Sequence, residues 1–275
     1  MKNSLFKIAL LFFIGLHFQA AAQIEELQMK IVQSKGVVFG VTEMELIDEL
    51  MFTMPGLGSS SRDMLTEQSV KPYMMPPRKI AAKGSATSYA IASCLEFYVN
   101  FDKNYKVNLS PDFIELNLGQ KKNYPIKDAF TFMSSTGTVS AAIMPYESKT
   151  IPAGVFATEK YKIANFLHIF RPEMKTRQKV FEAKKALMRG NPVIIEMQIP
   201  ENFKDLKNTK YWMPSTDKPT ETHPFVIVGF DQDLESFEIL STYGSEWGRN
   251  GYMWVEFDDL AKYATDGFVM VPNQY

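Results

Sequence analysis

The most informative segment of this sequence is Ser241-Thr242-Tyr243-Gly244-Ser245-Glu246-Trp247-Gly248-Arg249-Asn250-Gly251-Tyr252. It follows the run 237–240, Phe-Glu-Ile-Leu, which is typical of a short strand. Three glycines separate its aromatic residues, a spacing that favours turns. Taken alone, the segment is also compatible with core aromatics at 243 and 247 joined by turn-forming glycines. Its position directly after a strand indicates a loop on a sheet.

The chain around this segment divides into a helical part and a strand-rich part. Helical spacing of apolar residues predicts helices that start near Ser88 or Tyr89 and that cover 126–134 and 176–188. Strands are predicted at 192–200, 225–230, 237–240 and 252–257. Helices that precede a group of strands indicate an α+β fold with segregated halves.

Composition excludes several classes of function. The chain has 275 residues, 45% of them hydrophobic, which is enough for a packed core. It carries 30 Lys and Arg against 31 Asp and Glu, so its net charge is −1. The sequence therefore lacks the excess of basic residues that would indicate binding to nucleic acid or to an anionic membrane. The only cysteine, Cys94, lies within the apolar run 91–95, so no disulfide forms within the molecule and the thiol is predicted to be a buried apolar group.

The first residues have the pattern of an export signal. Residues 1–22 combine Lys2 and Lys7 with an apolar run over 5–18 and a small-residue end, and are predicted to be a cleaved signal peptide. The mature chain is then expected to be periplasmic or extracellular and to carry no membrane span. Residues 23–69 are predicted to be an extension, either a strap lying on the main domain or a pro-segment that covers a cleft.

Two histidines remain in the predicted mature chain. His168 lies in a strand-like segment, where a packed structural histidine is the better interpretation. His223 stands just before the strand 225–230 and projects from a strand mouth, where binding groups tend to lie. Two distant histidines and one buried thiol cannot form a tetrahedral metal site, and no glycine loop for phosphate is present. No cofactor is therefore predicted.

Five segments together resemble papain-like cysteine peptidases, in order over residues 70–275. Residues 241–252 resemble the family segment N-S-W-G-x-x-W-G-x-x-G-Y, and 223–231 resemble H-A-x-x-x-V-G-Y-D. Residues 83–92 resemble Q-G-x-C-G-S-C-W-A-F, 109–114 resemble L-S-P-x-x-L, and 144–147 resemble Y-P-Y. The resemblance implies two lobes, a helical one over about 70–150 and an antiparallel β-barrel-like one over about 151–275, with a cleft between them.

The resemblance also assigns roles to single residues. In this family a thiolate at a helix start attacks a peptide carbonyl, an imidazole carries the proton, an Asn holds the ring and a Gln helps to bind the oxyanion. His223 would supply the imidazole. The nucleophile position falls on Ser88 if the motif is aligned on Ala90, or on Tyr89 if it is aligned on Gly84. The position of the Asn falls on Ser241, which lacks the amide, and that of the Gln falls on Ala82 or Lys83, neither of which matches. The resemblance gives Tyr243, Trp247 and Gly84 as binding residues.

These assignments predict a family member without its attacking sulfur. The function that follows is that of an inactive module which binds a peptide or protein partner in the cleft, since removal of a nucleophile typically costs on the order of 10⁶ in turnover. One alternative is an active hydrolase that uses Ser88 with His223 and Ser241. Another is a structural subunit of a cell-envelope complex, attached through the extension 23–69.

Overall fold

The computed structural model describes residues 38–57, 66–82, 84–119, 124–214 and 218–273. Gly40–Tyr275 forms a compact unit of its own. The predicted signal peptide 1–22, the start of the predicted extension and Lys83 lie outside the described residues.

The described part of the chain contains six α-helices. Their bounds are α1 Met44–Leu50, α2 Ala86–Lys103, α3 Pro111–Leu118, α4 Ile126–Ser135, α5 Thr176–Met188 and α6 Phe257–Tyr263. Helix α2 packs against α3 and α4, and all its residues from Ser88 to Val99 except Ser93 are buried. A helix buried on nearly every side is a core element. Cys94 is buried within it, as predicted.

Serine caps fix where two of these helices begin. The Ser85 hydroxyl accepts a hydrogen bond from the Ser88 amide at 3.1 Å, so α2 begins at Ala86, two residues before the earlier of the two predicted starts. The Ser110 hydroxyl accepts from the Phe113 amide at 3.3 Å, and Pro111 occupies the first turn of α3. The Leu-Ser-Pro motif is therefore a helix start.

The strands of the described residues form one sheet. Their bounds are β1 Glu67–Ser69, β2 Ile163–Phe170, β3 Val193–Ile199, β4 Tyr211–Trp212, β5 Glu221–Asp231, β6 Ser236–Leu240, β7 Tyr252–Glu256 and β8 Ala264–Pro272. The order is β2-β8-β3-β5-β6-β7-β4, with β1 paired to β5. Every pairing is antiparallel except that of β4 with β7.

The fold is the predicted α+β arrangement, with one difference. The order of strands runs from β2 to β4 without returning to its start, so the sheet is open where the sequence suggested a barrel-like lobe. The helical part is attached to this sheet by aromatic packing, since Phe130 of α4 stacks on Phe166 of β2 at 4.5 Å between ring centroids. Helix α2 packs against β5, the strand that carries His223.

The described parts of the predicted extension lie on the sheet and on α5. The Val41 amide donates to the Phe166 carbonyl at 3.1 Å, and the Met54 amide donates to the Arg189 carbonyl at 2.9 Å. Helix α1 begins after Glu43 and has no side-chain cap at its first turn.

His168 has the structural role that the sequence favoured. Its ring is 4% exposed and stacks on Phe268 of β8 at 4.6 Å between ring centroids. Its Nε2 lies 2.8 Å from Oδ1 of Asp266, which belongs to the same strand. The ring therefore joins β2 to β8.

Candidate functional site

His223 lies on β5 in a nearly closed environment. It pairs with Met197 of β3 and is 8% exposed. Its ring stacks on Tyr243, with centroids 4.5 Å apart and planes 22° apart, and Phe225 contacts it from 5.0 Å. Nε2 lies 3.1 Å from the hydroxyl oxygen of Thr242. Two residues of the loop after β6 therefore hold the ring.

Burial determines the charge of this imidazole. It lowers the pKa of His223 to about 4, well under the ordinary value of 6.5. The ring is consequently neutral at neutral pH. An imidazolium that would stabilise a neighbouring thiolate is not formed under these conditions.

This shift predicts how His223 affects stability. Because its folded pKa lies below its unfolded pKa, the folded state resists protonation, and stability is lost as the pH falls from 6.5 towards 4. When the pH falls from 7 to 4, the parent should therefore lose about 3 kcal/mol more unfolding free energy than a His223→Gln variant. NMR titration of the ring and denaturant unfolding at both pH values measure the two effects. A midpoint near 6.5 would contradict the burial argument.

The structure corrects the predicted partner of the ring. Ser241 was expected to hold the imidazole, but its hydroxyl accepts a hydrogen bond from the Tyr243 amide at 3.2 Å, and its own amide donates to the Gly251 carbonyl. These two bonds fix the loop and leave the ring to Thr242. In the sequence, the only sign that Thr242 could contact the ring was its position next to Ser241.

The hydroxyls at the two predicted nucleophile positions form hydrogen bonds with residues other than His223. The Ser88 hydroxyl is buried and donates to the Ser85 carbonyl at 3.0 Å. Ser85 also contacts the Tyr124 hydroxyl at 2.7 Å, so this hydroxyl cluster lies between the start of α2 and the segment before α4. The Tyr89 hydroxyl accepts from the Ala81 amide at 3.2 Å. Among the described residues, no hydrogen bond joins Ser88, His223 and Ser241 into a relay.

Gly84 has a packing role in the loop before α2. A side chain at this position would bring Cβ to 2.8 Å from the Tyr89 ring. Gly84 therefore permits the close approach of the loop to Tyr89, and it does not line the pocket described below.

The structure indicates a third register for the nucleophile position. The first residue of α2 is Ala86, preceded by its cap Ser85 and by Gly84. The order Gly84-Ser85-Ala86 matches the Gly-Ser-Cys part of the motif with which residues 83–92 were compared. Ser88 lies two residues further, about 200° around the helix axis, and is buried whereas Ala86 is partly exposed. The residue at the helix start is therefore an alanine, which the two sequence alignments missed.

A pocket of about 390 Å³ adjoins the residues that contact the His223 ring. Three segments line it: the loop before α2, the segment 204–207 and the loop after β6. The lining residues are Lys79, Ile80, Lys204, Asp205, Lys207, Thr242, Tyr243, Glu246 and Trp247. The predicted binding residues Tyr243 and Trp247 thus belong to one pocket, whereas the contribution of the segment 204–207 was not foreseen.

A buried ion pair supports the loop that carries Lys79. Arg78 pairs with Glu96 of α2 and also donates to the Tyr146 hydroxyl, and the Leu109 amide donates to Glu96 at 2.5 Å. Burial raises the pKa of Glu96 to about 7, although Arg78 acts in the opposite direction. The network joins α2 to the loop that carries Arg78, to Leu109 before α3 and to Tyr146.

The described residues contain no cluster of metal ligands and no membrane-spanning helix. No three side chains of His, Cys, Asp or Glu lie together in a way that would hold a metal ion. In the same part of the chain, none of the helices combines the length and the apolar character that a membrane crossing requires.

Comparison with known proteins gives one family. The family described as papain family cysteine protease matches residues 76–269. Gamete and mating-type specific protein A of Dictyostelium discoideum is 25% identical over 210 residues, which are 71% of this chain and 44% of that protein. This chain thus spans less than half the length of that curated relative.

Solved structures show the same fold at low identity. Xylellain, a cysteine protease from Xylella fastidiosa, superposes with a TM-score of 0.60 at 17% identity, over 86% of this chain and 96% of its own. Digestive procathepsin L 3 of the Tenebrio molitor larval midgut gives a TM-score of 0.63 at 15% identity, over 91% of this chain and 88% of its own. At these identities the likeness concerns the fold.

Proposed function

We propose that the chain, which belongs to the papain family of cysteine proteases, is an inactive member that binds a peptide or protein partner in the cleft between its lobes. One observation carries the proposal: the helix that approaches the His223 strand begins with Ala86, whose methyl group cannot attack a carbonyl. Cys94 does not substitute, because it is buried in the same helix and burial raises the pKa of its thiol far above the ordinary value.

The neutral ring of His223 supports the same conclusion. A general base acts best with a pKa near the working pH, and this ring has a pKa of about 4. Tyr243, on which the His223 ring stacks, instead lines one side of the pocket. The inner wall of this pocket includes the buried side chain of Trp247, which stays in place without a catalytic group, so binding can outlast catalysis.

The test is capture of peptides by the mature chain, with recovered peptides identified by mass spectrometry. We expect intact peptides to bind the parent protein and a Tyr211→Ala control, whose tyrosine is exposed and lies outside the pocket. Tyr243→Ala removes a pocket wall and should weaken binding by at least tenfold. Peptides that the parent returns cleaved, and that a His223→Ala variant returns whole, would refute inactivity.

Export is a second part of the proposal. Residues 1–22 have the basic start, apolar run and small-residue end of a signal peptide. Expression of the full chain in a bacterial host is expected to deliver a protein outside the cytoplasm whose first residue is Gln23. N-terminal sequencing checks this position, and a chain that keeps Lys2 and remains cytoplasmic would contradict it.

A further inference from the structure

Lysine side chains surround the pocket next to His223 in excess over carboxylates. Lys79, Lys204 and Lys207 line it together with Asp205 and Glu246. Lys207 and Glu246 form an ion pair at 3.2 Å. Lys79 and Lys204 are exposed and have no ion pair with another described residue. Two ammonium groups are therefore available to an anion. Of the two carboxylates that line the pocket, Glu246 pairs with Lys207, and Asp205 forms no ion pair with a described lysine.

The inner wall of the pocket is aromatic. Trp247 is 2% exposed, and its indole N–H donates to the Phe203 carbonyl at 2.8 Å. Tyr243 lies against it, with ring centroids 5.8 Å apart. Because the indole N–H is already bonded within the protein, Trp247 offers a ligand apolar ring surface.

Backbone hydrogen bonds hold the three lining segments together. The Ile80 amide donates to the Thr242 carbonyl at 2.9 Å, which joins the loop before α2 to the loop after β6. The Gly248 amide donates to the Leu206 carbonyl at 2.8 Å, which joins that second loop to the segment 204–207. A site held in this way loses little conformational freedom when it binds a ligand.

We propose that this pocket takes a carboxylate attached to an apolar group, with Lys79 and Lys204 as its cationic partners and Tyr243 and Trp247 as its apolar wall. The C-terminal residue of a peptide and an acidic side chain next to an apolar one both offer this chemistry. The inference rests on the proposed function and names the chemical class of the partner. Hydrogen bonds from ammonium groups to a carboxylate are charge-assisted and strong, and such binding weakens as salt screens the charges.

The experiment measures dissociation constants by NMR from the indole N–H signal of Trp247, which a Trp247→Phe variant assigns. The probes are N-acetyl-leucine with a free carboxylate, N-acetyl-leucinamide, and an amidated peptide with glutamate before a final leucine. We expect the free acid to bind at least tenfold more tightly than the leucinamide at low salt. The glutamate peptide shows whether a side-chain carboxylate also serves as the source.

Charge variants test the two lysines. The double variant Lys79→Glu and Lys204→Glu should lose the tenfold preference for the acid. The matched control Lys210→Glu with Lys262→Glu makes the same change of net charge at exposed lysines outside the pocket, and should keep the preference. Folding of both variants is checked by the dispersion of their amide spectra.

The outcomes separate this inference from the proposed function. Equal affinity for acid and amide, or an acid preference that survives the lysine double variant, would overturn the carboxylate inference and leave a peptide-binding module in place. Absence of binding by the free acid would overturn it as well. Hydrolysis of peptides by the parent chain would overturn the proposed inactivity. The lysine variants would still test whether Lys79 and Lys204 bind the carboxylate.

Discussion

An Arg78→Met variant is expected to lose about 3–5 kcal/mol of unfolding free energy, because it leaves Glu96 buried without its cation. The Glu96 side chain has no exposed surface, and that of Arg78 is 14% exposed. The double variant Arg78→Met with Glu96→Leu should recover most of the loss, since an apolar pair replaces the ion pair. Denaturant unfolding of the three proteins measures these differences.

A control and a pH series sharpen this prediction. Arg171→Met breaks the exposed ion pair with Glu173 and should cost less than about 1 kcal/mol. Because the pKa of Glu96 is raised to about 7, its contribution to stability is present at low pH and is lost as the pH rises from 4.5 to 7. This trend opposes that of His223 in the same range. A loss below 1 kcal/mol for Arg78→Met would contradict the role of the pair.

An Ala86→Cys variant is expected to acquire a thiol whose pKa lies at least about one unit below 8.5. The first turn of α2 exposes unpaired amides and the positive end of the helix dipole, and both favour a thiolate. The pH dependence of iodoacetamide alkylation, followed by mass spectrometry, gives this pKa. Cys94 should remain unlabelled in the folded chain, since it is 1% exposed.

A matched cysteine shows that position is the cause. Ala82→Cys places a thiol in the exposed loop before the helix, where no dipole acts on it, and its pKa should stay near 8.5. Equal pKa values for the two variants, or an Ala86→Cys thiol that no reagent reaches, would show that Ala86 is not at the accessible helix start.

Much of the fold could be predicted from the sequence, because its signals are local. Helix α5 begins and ends at Thr176 and Met188, as the spacing of apolar residues predicted. The strand 252–256 was likewise predicted, at 252–257, from a local run of mostly apolar residues. Strand order and the open edge depend on distant pairings, which such local patterns do not contain.

The site was predictable only in part, for three physical reasons. The Ser85 cap makes Ala86 the first residue of the helix. The spacing of apolar residues does not locate a helix start to the residue, so it could not choose the alignment of the motif. The choice of Thr242 over Ser241 depends on which hydroxyl the loop itself consumes. The neutral state of His223 depends on burial by Tyr243 and Phe225, which only the folded chain brings together.

The claim that this cysteine-protease fold has no nucleophile is tested most directly by turnover. Purified mature chain and its His223→Ala variant are incubated with a pool of quenched fluorescent peptides from pH 5 to pH 9. We expect that neither protein releases fluorescence above the buffer rate at any pH. Release by the parent chain that disappears in His223→Ala would contradict it.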